Sequence, residues 1–210
     1  MRLDAAGLPF IGGALVLALV GGAAVGWLLA VPFAALALLF AFFFRDPERR
    51  VQARPEDILA PADGRVLVAG TAHAGDAPAG AWQQISIFLS PLDVHVNRIP
   101  ASGRVTHVTH TRGRFLPAYR PEAASTNERC EIQIDHAGQS IVARQVVGIL
   151  ARRVVCRVQE GAEVRAGDRF GIMKFGSRMD VFVPPSATVT VKVGDSVRGG
   201  ETVIALLHNG

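Results

Sequence analysis

The hydrophobic positions of this chain form one long uninterrupted run, followed by a series of short alternating segments. From Gly7 to Phe44 the sequence has no charged residue over 38 positions. A helix needs about 20 apolar residues to cross the hydrocarbon core of a bilayer, and a cleaved signal peptide would have a much shorter apolar region. The run therefore predicts an N-terminal helical membrane segment, either one long span with an interfacial extension or a tight hairpin broken at Gly21-Gly22 or Pro32.

After this run, apolar and polar residues alternate as they do in half-buried β-strands. Residues 84–90 carry an apolar side chain at every second position, and residues 131–150 predict a hairpin that turns at His136-Ala137-Gly138. Glycine and proline mark loops at short intervals, and no later segment has the pattern of an amphipathic helix. We therefore expect a membrane-anchoring segment at residues 1–44, and at residues 45–210 a mainly β domain, a sandwich or barrel of short strands.

Two short sequences recur within the predicted β domain. Pro61–Val66 and Pro100–Val105 share five of six residues, and residues 161–168 match residues 194–201 at Gly, Val, Arg and Gly. Each pair predicts a turn that leads into a strand, with glycine supplying a positive φ. Convergent turn chemistry is the alternative to a true internal repeat, because short repeats arise easily.

Composition narrows the possible functions. The chain carries 22 basic and 18 acidic residues, and Lys174 and Lys192 are its only lysines. No cluster of basic and aromatic residues suggests nucleic-acid binding, and the six histidines lack the spacing of metal ligands, so we expect neither partner. Cys130 and Cys156 have no metal-ligand spacing and are interpreted as buried thiols in a reducing compartment.

The side of the membrane follows from the charges next to the apolar run. Arg45, Arg49 and Arg50 come directly after it. Basic residues at the end of a membrane segment favour the cytoplasm. We therefore expect attachment to the cell membrane, with the β domain on the cytoplasmic side.

One Gly-Ser pair stands out because β-strands rarely need glycine. Gly176-Ser177 precedes the alternating residues 179–183, and the segment fails the Gly-x-Ser-x-Gly pattern of serine hydrolases. With the flanking repeats, Met173-Lys174 resembles the modification site of biotinyl and lipoyl carrier domains. That resemblance covers about 50 residues and implies, as an alternative function, a membrane-tethered carrier modified at Lys174.

A second resemblance covers nearly the whole chain. Four motifs occur in the order found in the phosphatidylserine decarboxylases, in their short bacterial and archaeal form. They are "APADG" (60–64), "SPLDVHVNRIP" (90–100), "TNERCEI" (126–132) and "FGSR" (175–178). The chain is identified as a member of that family, and its apolar N-terminus agrees with the membrane location of the substrate.

The resemblance implies a specific chemistry. Family members cut themselves between the glycine and the serine, here Gly176 and Ser177, into a large chain (1–176) and a small chain (177–210) that form a heterodimer. The serine becomes a covalent pyruvoyl group, the pyruvate cofactor. Its carbonyl forms a Schiff base with phosphatidylserine in the membrane and yields phosphatidylethanolamine for phospholipid biosynthesis.

The residues that would assist Ser177 are assigned by matching this sequence to the family's motifs, one position at a time. Asp63 matches the family's acid, and His95 matches the first histidine of the family's second motif. Whether His95 acts as the base in self-cleavage, as a proton donor in decarboxylation, or as both is left open. The longer forms have a second histidine where this chain has Arg98. Arginine cannot act as a base near neutral pH, so Arg98 is a candidate for substrate binding. Either His95 performs both roles, or His107 or His110 supplies the second base.

Overall fold

A computed structural model describes residues 2–73, 75–149, 154–174 and 176–208 of the chain. Strands make up 39% of the structure and helices 20%, which confirms the prediction of a mainly β protein with an N-terminal apolar helix. The chain divides into two compact units, Met1–Glu48 and Arg49–Gly210. The functional division after residue 44 into an anchor and a decarboxylase domain stays a prediction.

The N-terminal unit is a pair of apolar helices. Its elements are β1 (Arg2–Leu3), a 3-10 helix (Ala5–Gly7), α1 (Leu8–Ala24), α2 (Trp27–Phe43) and β2 (Arg45–Asp46), with β1 and β2 antiparallel.

The two helices form a hairpin, one of the two arrangements that the sequence left open. The chain turns at Gly26, whose φ of 115° favours glycine. Gly21 lets α1 approach α2 closely, since a Cβ there would lie 3.1 Å from Leu29. Pro32 is accommodated within α2. Residues Ala5–Ala24 are long and apolar enough to cross a membrane, whereas α2 is shorter.

The second unit contains one four-residue helix and fourteen strands among its described residues. In chain order they are β3 (Asp57–Leu59), β4 (Gly64–Thr71), β5 (Gln83–Leu89), β6 (Val96–Arg98), β7 (Gly103–Thr111), α3 (Ala123–Thr126), β8 (Arg129–His136), β9 (Gln139–Val147), β10 (Val154–Cys156), β11 (Glu163–Val164), β12 (Arg169–Met173), β13 (Ser177–Val183), β14 (Thr188–Val189), β15 (Ser196–Val197) and β16 (Val203–Leu206).

Eight of these strands form one curled sheet that has the same arrangement on both sides of its centre. Its order is β11-β7-β8-β9-β13-β5-β4-β15. We call β4, β5, β13 and β15 the first half, and β7, β8, β9 and β11 the second half. The predicted hairpin of β8 and β9 is confirmed, with its turn at Ala137-Gly138.

The recurring sequences take the same structure in the two halves. Gly64 begins β4 with a φ of 152°, and Gly103 begins β7 with a φ of 154°. A Cβ on either glycine would overlap a carbonyl oxygen of the neighbouring strand, that of Phe88 or Asp135. β15 pairs with β4 and β11 pairs with β7 at these same glycines. The repeated glycines therefore serve one purpose, a close approach of backbones at the corner of each half.

The core lies against one face of the curled sheet. Alternate residues of β13 and β5, among them Met179, Val181, Ile85 and Ile87, are fully buried there and pack with residues such as Phe170. The period of two puts Ser177 on the same face as Met179. Two smaller sheets, β10-β12-β6 and β14-β16-β3, complete the unit.

Candidate active site

The Gly176-Ser177 peptide lies at the start of the central strand β13. Ser177 pairs with Leu89 of β5 and with Val147 of β9, and its side chain is fully buried. Its hydroxyl oxygen has no hydrogen-bond partner in the part of the chain that the structure describes. Gly176 has a φ of 76°, a conformation that L-residues other than glycine rarely adopt. A buried hydroxyl without a partner is costly in a folded protein and commonly marks a functional group.

His95 lies directly against this peptide. Its ring is fully buried, its Nδ1 lies 2.9 Å from the carbonyl oxygen of Asp93, and its Nε2 lies 3.2 Å from the backbone nitrogen of Gly176. A carbonyl oxygen can only accept, so the proton of a neutral ring is on Nδ1. The lone pair of Nε2 then accepts the N–H of Gly176 and faces the peptide that precedes Ser177.

Gly148 lies against the Gly176 carbonyl. A Cβ added at Gly148 would overlap the Gly176 carbonyl oxygen and lie 3.1 Å from its carbon. The preceding residue, Val147, is held in place on both sides, because its N–H donates to Glu128 O and its carbonyl accepts from Asn127 Nδ2 at 2.8 Å. This segment fixes the position of the carbonyl that Ser177 would attack.

Two buried amides contact each other, one from β9 and one from β6 of the smaller sheet β10-β12-β6. Gln145 Nε2 donates to Asn97 Oδ1 at 2.7 Å. Asn97 lies on β6, two residues after His95, and Gln145 lies on β9, two residues before Val147, the strand partner of Ser177. Within the described residues, Asn97 Nδ2 and Gln145 Oε1 have no partner. Because the amides can exchange O and N, either orientation leaves one donor and one acceptor available.

Asp63 and Arg98 have structural partners of their own. Asp63 Oδ2 accepts from Arg49 at 2.7 Å and its Oδ1 accepts from the backbone N–H of Gly199 at 2.8 Å. Arg98 is buried and donates to the carbonyl of Gly167 at 2.9 Å. His95 has a hydrogen bond to the Gly176-Ser177 segment, and the catalytic role of Asp63 and the substrate role of Arg98 stay predictions.

The two alternative histidines are exposed on another strand. His107 and His110 lie on β7, three strands away from β13 in the sheet. At about 4.8 Å per strand, this separation is roughly 14 Å. The arrangement favours His95 over both of them as the base for chemistry at Ser177.

Both cysteines are reduced thiols in contact with each other. Cys130 is buried, Cys156 is half-buried, and His110 Nε2 lies 3.6 Å from Cys130 Sγ. The Cys130 thiol donates a hydrogen bond that lowers the pKa of Cys156 to about 7. The same contact, together with burial, raises the pKa of Cys130. The described residues contain no group of three His, Cys, Asp or Glu side chains placed to hold a metal ion.

The sequence contained signals for three residues that the pattern analysis did not single out. Gln145 interrupts the inward-facing apolar series of β9, which is the mark of a buried polar residue. Asn97 and Asn127 lie within motifs that carry the family resemblance, but nothing in those motifs indicates what their side chains contact. Gly148 had no sequence signal, because its role depends on a carbonyl 28 residues away.

Comparison with known proteins gives one consistent result. A family model described as phosphatidylserine decarboxylase matches residues 36–205. A phosphatidylserine decarboxylase proenzyme of Pelodictyon phaeoclathratiforme is 46% identical over 171 residues, 81% of this chain and 80% of the relative. Proenzymes of the same name from Geobacter metallireducens and Desulfotalea psychrophila are 40% and 39% identical, and the matches cover 98% and 94% of this chain and 96% and 93% of the relatives.

Proposed function

The chain belongs to the phosphatidylserine decarboxylase family and is a decarboxylase, and we propose that it converts phosphatidylserine to phosphatidylethanolamine with a pyruvoyl group made from its own Ser177. The observation that carries the proposal is the geometry of the Gly176-Ser177 peptide, whose serine is fully buried. Its glycine has a positive φ and donates its N–H to His95, and the serine hydroxyl has no partner among the described residues. The relatives are named proenzymes, which is consistent with a precursor that is cut.

The cut would start at the serine hydroxyl. Ser177 Oγ attacks the carbonyl carbon of Gly176, the C–N bond breaks, and the amide becomes an ester with a free amino group on residue 177. Loss of the Ser177 α-proton then expels the Gly176 carboxylate and leaves dehydroalanine. Water hydrolyses the dehydroalanine to a pyruvoyl group and ammonia. A glycine at position 176 suits this reaction, since no side chain blocks the approach to its carbonyl.

His95 is the base that the geometry favours for these steps. A serine hydroxyl needs a nearby base to become a nucleophile. The Nε2 of His95 is already within hydrogen-bonding distance of the residue that precedes Ser177, and Asp93 O holds the ring with its lone pair toward that peptide. Gly148 and Asn127 assist by fixing the carbonyl and its supporting strand end.

The second reaction would use the same site. A pyruvoyl group at residue 177 supplies an electron-withdrawing carbonyl that reacts with the amine of the serine headgroup. His95, which stays on the large chain, can donate a proton to the carbon that loses carbon dioxide. The amide pair of Asn97 and Gln145 offers one neutral donor and one neutral acceptor, and Gln145 is on the same face of β9 as the strand partner of Ser177.

The two products of the cut would remain together as a heterodimer. β13 of the small chain is hydrogen-bonded along its length to β5 and β9 of the large chain. β15 and β16, also in the small chain, pair with β4 and β3. Separation would break four strand pairings, so the fold supports a stable complex of the two chains.

We place the enzyme at the cell membrane, with the second unit on the cytoplasmic side. The apolar helices support membrane attachment, and the arginines that follow them support the orientation. Proteolysis of sealed membrane vesicles tests this. Right-side-out vesicles should protect the β domain, and digestion of the domain in them would contradict the orientation.

The decisive experiment is the intact mass of the purified protein and of matched serine variants. We expect two chains, with a 34-residue fragment that resists Edman degradation because a pyruvoyl end has no amine. Ser177→Ala should stay uncut and inactive, whereas Ser177→Cys or Ser177→Thr should be cut slowly. Ser186→Ala, at an exposed serine of the same small chain, should be cut normally.

Two outcomes would contradict the proposal. One is active protein that consists of a single intact chain. The other is an uncut chain that carries a biotin or lipoyl adduct on Lys174, which the carrier alternative predicts and which a streptavidin or anti-lipoate blot would detect.

A further inference from the structure

A cavity of about 620 Å³ lies next to the candidate active site. It is lined by Asp63, Arg65, Phe88, Ser90, Asp93 and Arg198, among others. The volume is in the range of small-molecule sites, about 300–1,000 Å³. Neither the self-cleavage chemistry nor the core requires such a space.

Two of the segments that line the cavity are close in sequence to residues that contact the Gly176-Ser177 peptide. Ser90 directly follows Leu89, the strand partner of Ser177, and Phe88 lines the cavity from the face of β5 opposite to Leu89. Asp93 lines the cavity, and its carbonyl oxygen accepts the hydrogen bond from His95 Nδ1. The cavity therefore borders the end of β5, one residue from the strand partner of Ser177, and the segment that leads from Asp93 to His95.

The charged lining residues differ in their existing contacts. Asp63 forms an ion pair with Arg49, and the Asp93 carboxylate accepts a hydrogen bond from the backbone N–H of Ser90 at 2.8 Å. By contrast, Arg65 is exposed and makes no ion pair with any described residue. Arg198 is exposed and has a single distant contact, 4.0 Å to Glu201. The two guanidinium groups are thus available to an anion, and their planar donors suit phosphate oxygens.

We propose that Arg65 and Arg198 bind the phosphodiester of the lipid substrate in this cavity, which places its serine headgroup toward Ser177 and His95. The inference rests on the proposed function, because it assigns the ligand to the same reaction. It assigns residues to the phosphodiester, a part of the substrate that does not react and that the reaction itself leaves unassigned.

The second half of the sheet supplies a matched control. Arg104 and Arg165 occupy the positions in the repeats that correspond to Arg65 and Arg198, and both are exposed. There, however, β8 ends in the tight turn to β9, where the first half has the open segment that contains Ser90 and Asp93. The second pair of arginines has equal charge and equivalent backbone positions but lies away from the candidate active site.

The experiment compares the double variants Arg65→Gln/Arg198→Gln and Arg104→Gln/Arg165→Gln in full-length protein in detergent. Calorimetry measures binding of dihexanoyl-phosphatidylethanolamine, a product that is not turned over, and kinetics give KM and kcat for dihexanoyl-phosphatidylserine. We expect the first variant to raise the Kd and KM about tenfold to 100-fold, the loss of one or two charge-assisted hydrogen bonds. Its kcat and self-cleavage should not change, and the second variant should stay within twofold of the wild type.

Three results would overturn the assignment. The first is an equal rise in Kd and KM in both double variants, and the second is no rise in the Arg65→Gln/Arg198→Gln variant. The third is inorganic phosphate that binds as tightly as the lipid, which would show that the site takes free phosphate. The melting temperature of each variant checks the fold. A wild-type chain that is never cut would refute the proposed function instead, while product binding would still report on this site.

Discussion

The two halves of the eight-stranded sheet share one geometry, but corresponding positions in them have different surroundings. In the second half, β8 and β9 pair as far as His136 opposite Gln139 and are joined by a tight turn. In the first half, β5 and β13 pair as far as Leu89 opposite Ser177, and the two strands are not consecutive in the chain. By register, Gly176-Ser177 therefore occupies the place of Gly138-Gln139. The Gly176-Ser177 peptide is located where the other half has an ordinary hairpin turn.

The corresponding glycines differ in what surrounds them rather than in their backbones. Gly138 has a φ of 84° and Gly176 a φ of 76°. The N–H of Gly138 donates to the Asp135 carboxylate at 2.9 Å, whereas the N–H of Gly176 donates to His95 Nε2 at 3.2 Å. Gln139 is partly exposed and Ser177 is fully buried. The left-handed glycine thus belongs to the fold, and a buried histidine and a buried hydroxyl distinguish the candidate site.

A second difference lies at the corner of each half. Asp63 in the first half accepts the N–H of Gly199, and Ser102 at the corresponding position accepts the N–H of Ala166 at 3.0 Å. The hydrogen bond to the backbone is common to both halves, so it does not require a carboxylate. The negative charge and its ion pair with Arg49 are found only in the first half among the described residues.

The largest expected effect comes from removing the group that distinguishes the two glycines. His95→Ala should slow self-cleavage by about 10²- to 10⁴-fold, the usual contribution of a general base. Asp135→Ala removes the corresponding acceptor at the turn and should leave cleavage unchanged. Cleavage should be followed in time from freshly translated chain, because overnight incubation would hide a partial defect. Normal kinetics in His95→Ala would limit this residue to decarboxylation.

The next effect concerns the contact beneath the Gly176 carbonyl. Gly148→Ala should reduce the cleavage rate about 10²-fold, since a displacement of about 1 Å at a reacting atom can have that effect. Gly75→Ala is the control, because a Cβ there would meet no described atom within 4 Å. Cleavage is measured well below the melting temperature of each variant. Wild-type cleavage in Gly148→Ala would show that the carbonyl position is not critical.

Exchanging the corner residues separates charge from hydrogen bonding. Asp63→Ser keeps an acceptor for Gly199 but removes the charge, and we expect cleavage to slow about tenfold, equivalent to roughly 1.4 kcal/mol on the barrier. Ser102→Asp should fold and cleave normally. Both are measured by the same time course. If Asp63→Ser is cut at the wild-type rate, the role of Asp63 is structural.

The smallest effect is expected from creating a second Gly-Ser pair at the turn between β8 and β9. Gln139→Ser reproduces the dipeptide and its positive φ at a partly exposed position, where the glycine N–H donates to Asp135 and not to a buried histidine. We expect no cut between residues 138 and 139, and a change in stability within about 0.5 kcal/mol. Intact mass decides the result. A cut there would mean that the dipeptide in this conformation is sufficient.

The sequence by itself determined the elements and the family. The long uncharged run, the period-two alternation and the repeated glycines predicted the apolar helices, the strands and the turns that lead into them, because each is a local property of the chain. The four motifs that identified the family are also local, and Ser177, His95 and Asp63 were found through them.

Only the tertiary structure decided which of these residues meet. Ser177 lies beside Leu89 and Val147, and His95 beside Gly176, through strand pairings that join segments 30 to 88 residues apart. No local pattern specifies such pairings, since they depend on how the whole sheet buries its apolar face. For the same reason the sequence alone could neither find Gly148 nor place His107 and His110 away from the site.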